Sequence, residues 1–310
     1  MRVAVSIVAA LAALSARAFD LDAWKVKCAR TAELSSRMRS LYAKYAAEAV
    51  DPALDISIPV ETYPAGSVKT VLSAEKARVI FGSDYIWGEG VTICQFAETG
   101  ATQSVVRARS CIVNRVEKTG WVEGRAEADH GGAHLEGDGV YISLDGFFAS
   151  IASNALVRVS DVKLGGAEVS EVALSGSRAA DDRAEGEVMF EGAVRLSEGG
   201  RRLDCERAFA FLEGTNDLKR VVALGNVRFS DSSREGGCPR AVYLRSAERL
   251  EMHSEEGAPA FIEENGENKW RLEGRKIVFW PKTEQVVIDG ATIIADASRI
   301  DSKILGGGAL

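Results

Sequence analysis

The sequence predicts an all-β protein, an elongated array of about seven hairpin repeats with one amino-terminal α-helix. Three observations predict it. The first is a line that recurs as GVTICQF from Gly90, GAVRLSE from Gly192, GNVRFSD from Gly225, GAPAFIE from Gly257 and GATIIAD from Gly290. ALVRVSD from Ala155 lacks the glycine, and GRAEADH from Gly124 is a weaker copy. Starts at 90, 124, 155, 192, 225, 257 and 290 hold a steady period, the mark of a repeat architecture. A second line, a small residue, a charged pair and then alternating apolar residues, runs between these copies. It reads AEKARV from Ala74, CERAFA from Cys205, AERLEM from Ala247 and GRKIVF from Gly274, with looser copies ARSCIV (Ala108), GDGVYI (Gly137) and GSRAAD (Gly176).

The second observation is the local period. Val188, Phe190, Val194 and Leu196 alternate with charged or small residues, as do Val221, Ala223, Val227 and Phe229, and Val286, Ile288, Thr292 and Ile294. That is the period of a strand with one buried face, not of a helical repeat. The third is punctuation by turn formers: SEGGRR at 197–202, EGTND at 213–217, DSSREGG at 231–237 and ENGEN at 264–268. Seven pairs of lines make about fourteen strands.

Along the chain, residues 1–18 carry Arg2, an apolar run from Val3 to Leu14, and the A-x-A signal Ala16, Arg17, Ala18. They read as a cleavable signal peptide, with inner-membrane anchoring as the alternative if it is not cleaved. In 19–52, Trp24, Cys28, Leu34, Met38, Leu41 and Tyr45 recur at helical spacing, predicting one amphipathic helix that caps the first strands at an open sheet edge, with docking on a partner or a membrane surface as the alternative. Pro59 and Pro64 suggest a linker over 53–67. Repeats follow over 68–164 and, in cleaner copies, over 165–300 after Gly165 and Gly166; 301–310 reads as a flexible tail.

Composition narrows the function classes. In 310 residues, 46% hydrophobic and 27% charged content suits a folded chain, and a net charge of -7 disfavours nucleic acid. Of five cysteines, Cys94 with Cys111 and Cys205 with Cys238 are possible disulfides in an exported chain, and burial as small hydrophobes is the alternative. There is no G-x-x-x-x-G-K-[ST], G-x-S-x-G or H-E-x-x-H. Ser73, Ala74, Glu75 and Lys76 match S-x-x-K in form but lie on the repeat's own line. Glycines between His130 and His134 oppose a metal-binding helix, and Asp181, Asp182, Glu255 and Glu256 read as solvated turns, so no catalytic residue, metal or cofactor is expected.

Many inward candidates are modest in size: Ala77, Cys111, Ala208, Ala210, Ala223 and Val227. Small residues leave room for acyl chains between two sheets, or let the sheets pack close together. Each buried methylene is worth roughly 0.8 kcal/mol, so one long chain contributes on the order of 10 kcal/mol before entropy losses. The groove candidates are Val79, Val113, Ile142, Val194, Leu196, Val227, Phe229, Leu250, Met252, Ile277, Phe279 and Ile294. The small residue opening each line and the apolar residue three later have opposite parity, and a bulge between them would reconcile the two.

Residues 165–300, with A-x-G-x-V-x-F-x-G-x-V from Ala184 to Val194, the A-E-R and C-E-R openings and L-G-N-V from Leu224, resemble the OstA-like domain of the LptA–LptC family of periplasmic lipopolysaccharide-transport proteins. Residues 68–164, with LEGDGVYISL at 135–144 and VRVSDVKL at 157–164, are similar to its LptC branch. The resemblance implies a folded, V-shaped antiparallel β-jellyroll. Its apolar groove would shield the acyl chains of lipid A as part of an inner-to-outer membrane bridge. It also implies partner transport proteins, or further copies of the chain, joined end to end by β-strand pairing. The expectation is therefore a non-enzymatic, periplasmic, lipid-binding protein of outer-membrane biogenesis. The rivals are a structural envelope β-repeat protein with a filled interior and a carbohydrate-active β-helix enzyme using paired carboxylates.

Overall fold

A strand buried on one face must turn to bury that face against another layer, and in this chain a mid-strand corner makes the turn. The computed structural model describes residues 21–47, 52–80, 82–130, 133–143, 148–164, 167–182, 185–213, 217–264, 270–280, 283, 285–290 and 292–295. Two units divide the chain, 1–37 and 38–310. Helix α1 (Leu21–Ala46) begins in the first, where Lys25 pairs with Asp22 at 2.7 Å.

The second unit is an antiparallel meander in sequence order. It begins with β1 (Ala53–Thr62), β2 (Val68–Val79), β3 (Tyr85–Phe96), β4 (Thr102–Asn114), β5 (Thr119–His130), β6 (Ala133–Ser143) and β7 (Phe148–Leu164). One broken strand follows, β8 (Ala167–Gly176) with β9 (Arg178–Asp182), both paired to β7 and to β10 (Glu187–Glu198). After β11 (Arg201–Glu213), β12 (Asp217–Ser230) and β13 (Arg234–Leu244) come three more broken strands: β14 (Arg249–His253) with β15 (Ala260–Glu264), β16 (Trp270–Gly274) with β17 (Lys276–Trp280), and β18 (Gln285–Asp289) with β19 (Thr292–Ala295).

Two parts of the expected plan are corrected. AERLEM and GAPAFIE are not two strands but the halves β14 and β15 of one, both paired to β13, which the repeat pattern does not contain. The expected linker over 53–67 holds β1, whose Ile56, Ile58 and Val60 pack on the core. Pro59 is tolerated there because an edge strand has one side without ladder bonds. The sheet also runs on past 165–166, with pairing up to Leu164↔Ala167, so the two repeat blocks share one core.

The corner chemistry explains why the two sequence lines alternate. Gly90, Gly124, Gly192, Gly225, Gly257 and Gly290 all have positive φ, and Asn154, just before the copy that lost its glycine, has φ 55°. Asparagine is among the few other residues that enter this region readily. The second residue of the other line lies against this corner: Glu75 at Gly90, Ser177 at Gly192, Glu206 at Gly225 and Arg275 at Gly290, while Asp138 Oδ2 accepts from Asn154 Nδ2 at 2.6 Å. The first residue of that line is small because it lies inside the bend, where a Cβ on Gly274 would meet Asp289 O at 2.9 Å. Register shifts at Glu191/Val194 and Leu224/Val227 are the expected bulge, and they carry Phe190 and Val194, or Ala223 and Val227, onto the same inner face.

Each strand thus has a first arm, containing Val79 in β2 and Ile86 in β3, and a second arm, containing Leu72 and Ile93; both arms contribute to one core. The outer face of the first arm carries a second apolar row: Trp87, Ile112, Trp121 and Tyr141, paired in that order and all buried. The end of α1 lies on this row. Tyr42 Oη hydrogen-bonds Ser110 Oγ at 2.8 Å, Arg78 donates to Tyr45 O at 3.2 Å, Tyr45 packs on Tyr85 with ring centroids 6.0 Å apart, and Met38 is 3% exposed. In residues 38–46 the helix therefore covers a face, not the open edge expected of it.

The possible disulfides are not formed. Cys94 pairs with Val105 and Cys111 with Gly88, six residues apart along neighbouring strands, while β12 separates Cys205 from Cys238. A bridge needs Cα atoms within about 7 Å, less than two strand spacings. Burial pushes the Cys111, Cys205 and Cys238 thiols up to about 12. At pH 8 these three are expected to resist a thiol reagent such as dithionitrobenzoate until urea unfolds the chain; prompt labelling of all five in native buffer would contradict the buried placement.

Candidate functional site

The inner face of the second arm is one apolar row crossing the sheet. Ile58, Leu72, Ile93, Val106, Ala128, Leu135, Val157, Leu174, Leu196, Leu203 and Phe229 are paired in that order from β1 to β12. The first arm faces it with rows that include Val122, Val140, Ile151, Ala179 and Phe190, and Gly120, Ile142, Ala149, Asp181 and Val188. From β10 onward the interior is filled by Phe190, Phe229, Met252, Ile262, Ile277 and Phe279. Between β3 and β9 the same face carries Ala126, Ala128, Gly137, Ala149 and Ala179, and a cavity of about 130 Å³ opens between the arms. Small inner residues therefore leave room in one place and close packing elsewhere.

The groove candidates divide accordingly. Val113, Val194, Val227, Phe229, Leu250, Met252, Ile277 and Phe279 belong to the core, and Ile142 packs against it and lines the cavity. Leu196 is half-buried on the inner row. Val79 is corrected: it is 41% exposed, because β1 begins opposite Ala77 and leaves Val79 paired on its β3 side, to Ile86, with no described partner on the other. The side chain of Ile294 lies outside the described residues. Apart from Ile142, the cavity's own lining was missed, because facing positions on two arms are not visible in one strand's alternation.

The cavity is graded in polarity. Near the corner its walls are Ala126, Gly137, Val140, Ile151, Ala179 and Phe190; at the outer rim of the second arm they are Gln95, Ser104 and His130. Those three follow Thr70 in one inner row, Thr70↔Gln95↔Ser104↔His130. Ser104 Oγ donates to Gln95 Oε1 at 2.8 Å, while Thr70 is 0% exposed and its Oγ1 has no partner. Opposite, Asp181 is half-buried on the first arm and Asp182 buried. The expectation that both were solvated turn residues is corrected: β9 is paired on both sides, to β7 and β10.

The outer face carries charges in pairs. Glu136 accepts from Arg125 and, at 2.8 Å, from Arg158, and lies 3.2 Å from His134 Nε2; His134 Nδ1 is 2.8 Å from Asp129. Burial pulls the Glu136 carboxyl up, but Arg125 and Arg158 outweigh it and hold it below the usual range. The Asp129 hydrogen bond raises the His134 pKa. His130 faces in and His134 out, so they share no site, and among the described residues no His, Cys, Asp or Glu group is placed to hold a metal. Among the described residues every strand pairing is antiparallel, unlike a parallel β-helix, and the Glu136 carboxylate is ion-paired with Arg125 and Arg158.

Among known proteins, no family model and no curated protein matches the chain. Of solved structures, it is similar to the crystal structure of LptH, the LptA homologous periplasmic component of the lipopolysaccharide transport device from Pseudomonas aeruginosa. Identity is 14% and the TM-score 0.35, over 40% of this chain and 94% of that one. No helix among the described residues is long and apolar enough to cross a membrane.

Proposed function

We propose that this chain is a non-enzymatic lipid carrier of the periplasm, exported by the signal at 1–18, that shields lipopolysaccharide acyl chains between its two β arms as part of a bridge between membranes. The observation that carries the reading is the largely apolar cavity between continuous inner rows, with Gln95, Ser104 and His130 in its wall toward the end of the second arm. A purely structural repeat has no need of unfilled apolar space, which forfeits packing contacts. Partner transport proteins, or another copy of the chain, would join by strand addition at the two ends of the meander. Two exposed apolar residues lie on these end strands, Leu54 in β1 at 67% and Val287 in β18 at 58%. An aqueous edge strand ordinarily avoids them.

Native mass spectrometry of the chain from Phe19, with lipopolysaccharide and separately with dextran, tests the reading. Saturable binding of lipopolysaccharide alone is expected, and Leu196→Asp on the inner row is expected to lose it where Arg195→Asp on the outer face keeps it. Equal losses in the two variants, both still folded by circular dichroism, would sink the inner-row assignment. Absence of any adduct would favour the structural reading.

A further inference from the structure

We propose that the mouth between the two arms at the β1 end of the sheet is a gate to the interior, latched by one ion pair, Lys118 to Glu61. This rests on the reading above that the interior takes acyl chains, and adds where they enter. Three observations carry it: where the two charges stand, how each is held, and what the closed mouth leaves unsatisfied.

The pair spans the arms. Glu61 stands near the tip of the second arm, opposite Thr70 in β2, while Lys118 closes the turn between Asn114 and Thr119 at the tip of the first. Lys118 Nζ donates to Glu61 Oε1 at 3.0 Å. By contrast, Arg107 with Asp129, Arg178 with Glu191 and Arg195 with Asp204 join neighbouring strands within one arm. The latch lies at the edge of the interior. Glu61, Thr70 and Gln95 are successive positions of one row, and Gln95 lines the cavity.

Both ends are aimed. The register of β1 shifts between Pro59 and Glu61 and again before Thr62, which lets Val60 pack on the core and still sets Glu61 opposite the inner Thr70. Bulges at sheet edges commonly re-aim a side chain in this way. Across the mouth, Asn114 Oδ1 accepts from the Val116 and Glu117 amides at 2.9 Å each, and Arg115 N donates to Asp84 O at 3.0 Å, so the base of Lys118 is fixed. The moving part is the opposite one. Among the described strands β1 is paired only to β2, and an edge with few bonds opens more easily than a strand paired on both sides.

Charge is a costly way to close an apolar interior. The Glu61 side chain is 10% exposed, and a packed hydrophobic pair would shut the mouth at least as firmly as a buried ion pair. What charge adds is reversibility, because both partners regain water when they part. The closed mouth also leaves polar atoms short. Glu61 Oε2 lies 3.1 Å from Lys69 Nζ but makes no hydrogen bond, and Oγ1 of the fully buried Thr70 has no partner. Buried polar atoms are nearly always paired, so opening brings water to two atoms that closure leaves unsatisfied.

A cysteine behind the latch reads the gate without any lipid. In the chain from Phe19 with Cys28→Ser and Cys94→Ser, Thr70→Cys is expected to react slowly with iodoacetamide at fixed pH. Lys118→Met, which keeps the stem and drops the charge, is expected to speed that labelling about tenfold, and about 0.5 M salt to speed it several-fold. Lys69→Met removes the lysine that meets Glu61 within one arm, and is expected to leave the rate within about twofold. Stopped-flow uptake of cis-parinaric acid, whose fluorescence reports a buried acyl chain, is expected to gain about tenfold in both on-rate and off-rate in Lys118→Met, with Kd unchanged. If Thr70→Cys does not fold by circular dichroism, Gln95→Cys, next in the same row, takes its place. Labelling no faster in Lys118→Met than in Lys69→Met would overturn the proposal, as would faster labelling with parinaric acid uptake unchanged. Binding of neither parinaric acid nor lipopolysaccharide, with labelling still faster in Lys118→Met, would sink the transport reading and uphold the latch.

Discussion

Replacing Phe279 by Ala is expected to lower the unfolding free energy by about 3–5 kcal/mol, the range for deleting a buried aromatic ring. Phe279 is 1% exposed, its ring lies 5.9 Å from that of Phe229, and the Arg234 guanidinium stacks over it at 5.5 Å. In β17 it pairs with Leu250 on one side and Val286 on the other, so its void would open between three strands held apart by their ladders. The surroundings cannot collapse into it without breaking register, which places the cost toward the upper end. Phe279→Leu, which keeps most of the volume, should cost under about 1.5 kcal/mol. Urea denaturation with fixed m-values measures both. A loss below about 1 kcal/mol for Phe279→Ala would mean that this half of the interior is not packed as described.

Much of this arrangement was legible in the chain. Alternation at Val194, Leu196, Val227 and Phe229 located the inner face, and the opposite parity of each line's two ends announced the bulge. The fault lay in reading each glycine as a strand's beginning when it is a strand's middle, so that AERLEM and GAPAFIE became two strands and β13 none. The helix's landing place had a signal that alternation hides. Ile86 and Trp87, Cys111 to Val113, Trp121 and Val122, and Val140 and Tyr141 are adjacent apolar residues, the mark of strands buried on both faces. β1 escaped because Pro59 within it and Pro64 after it suggest a linker, yet an edge strand is where a proline is admissible. The cavity was illegible in principle: Ala128 and Ala149 come from different arms, and nothing local states that small residues will face small residues.

Gly225→Val is expected to destabilise by about 3 kcal/mol, from two separable causes. Its φ of 77° is a conformation that costs an ordinary L-residue roughly 1–2 kcal/mol and a β-branched one more. Its Cβ would also come within 2.9 Å of Glu206 Cβ and 2.5 Å of the Glu206 carboxylate, which accepts from Asn226 at 2.6 Å. Gly124 isolates the first cause: it has φ 72° and nothing within 4 Å of an added Cβ. Gly124→Val should therefore cost about 1–2 kcal/mol, and Gly124→Asn less than about 1, as Asn154 shows asparagine occupying such a corner. Thermal unfolding resolves these differences at roughly 2–4 °C per kcal/mol. Equal losses at Gly225 and Gly124 would remove the Glu206 contact as a cause. The consequence reaches the proposed site, because the bulge at Gly225 sets the parity of all that follows it in β12. A strand that straightened there would slip by one residue, turning Val227 and Phe229 to solvent and Arg228 into the core. The corner glycines keep the arms' inner rows facing each other, and so any space between them lined with carbon.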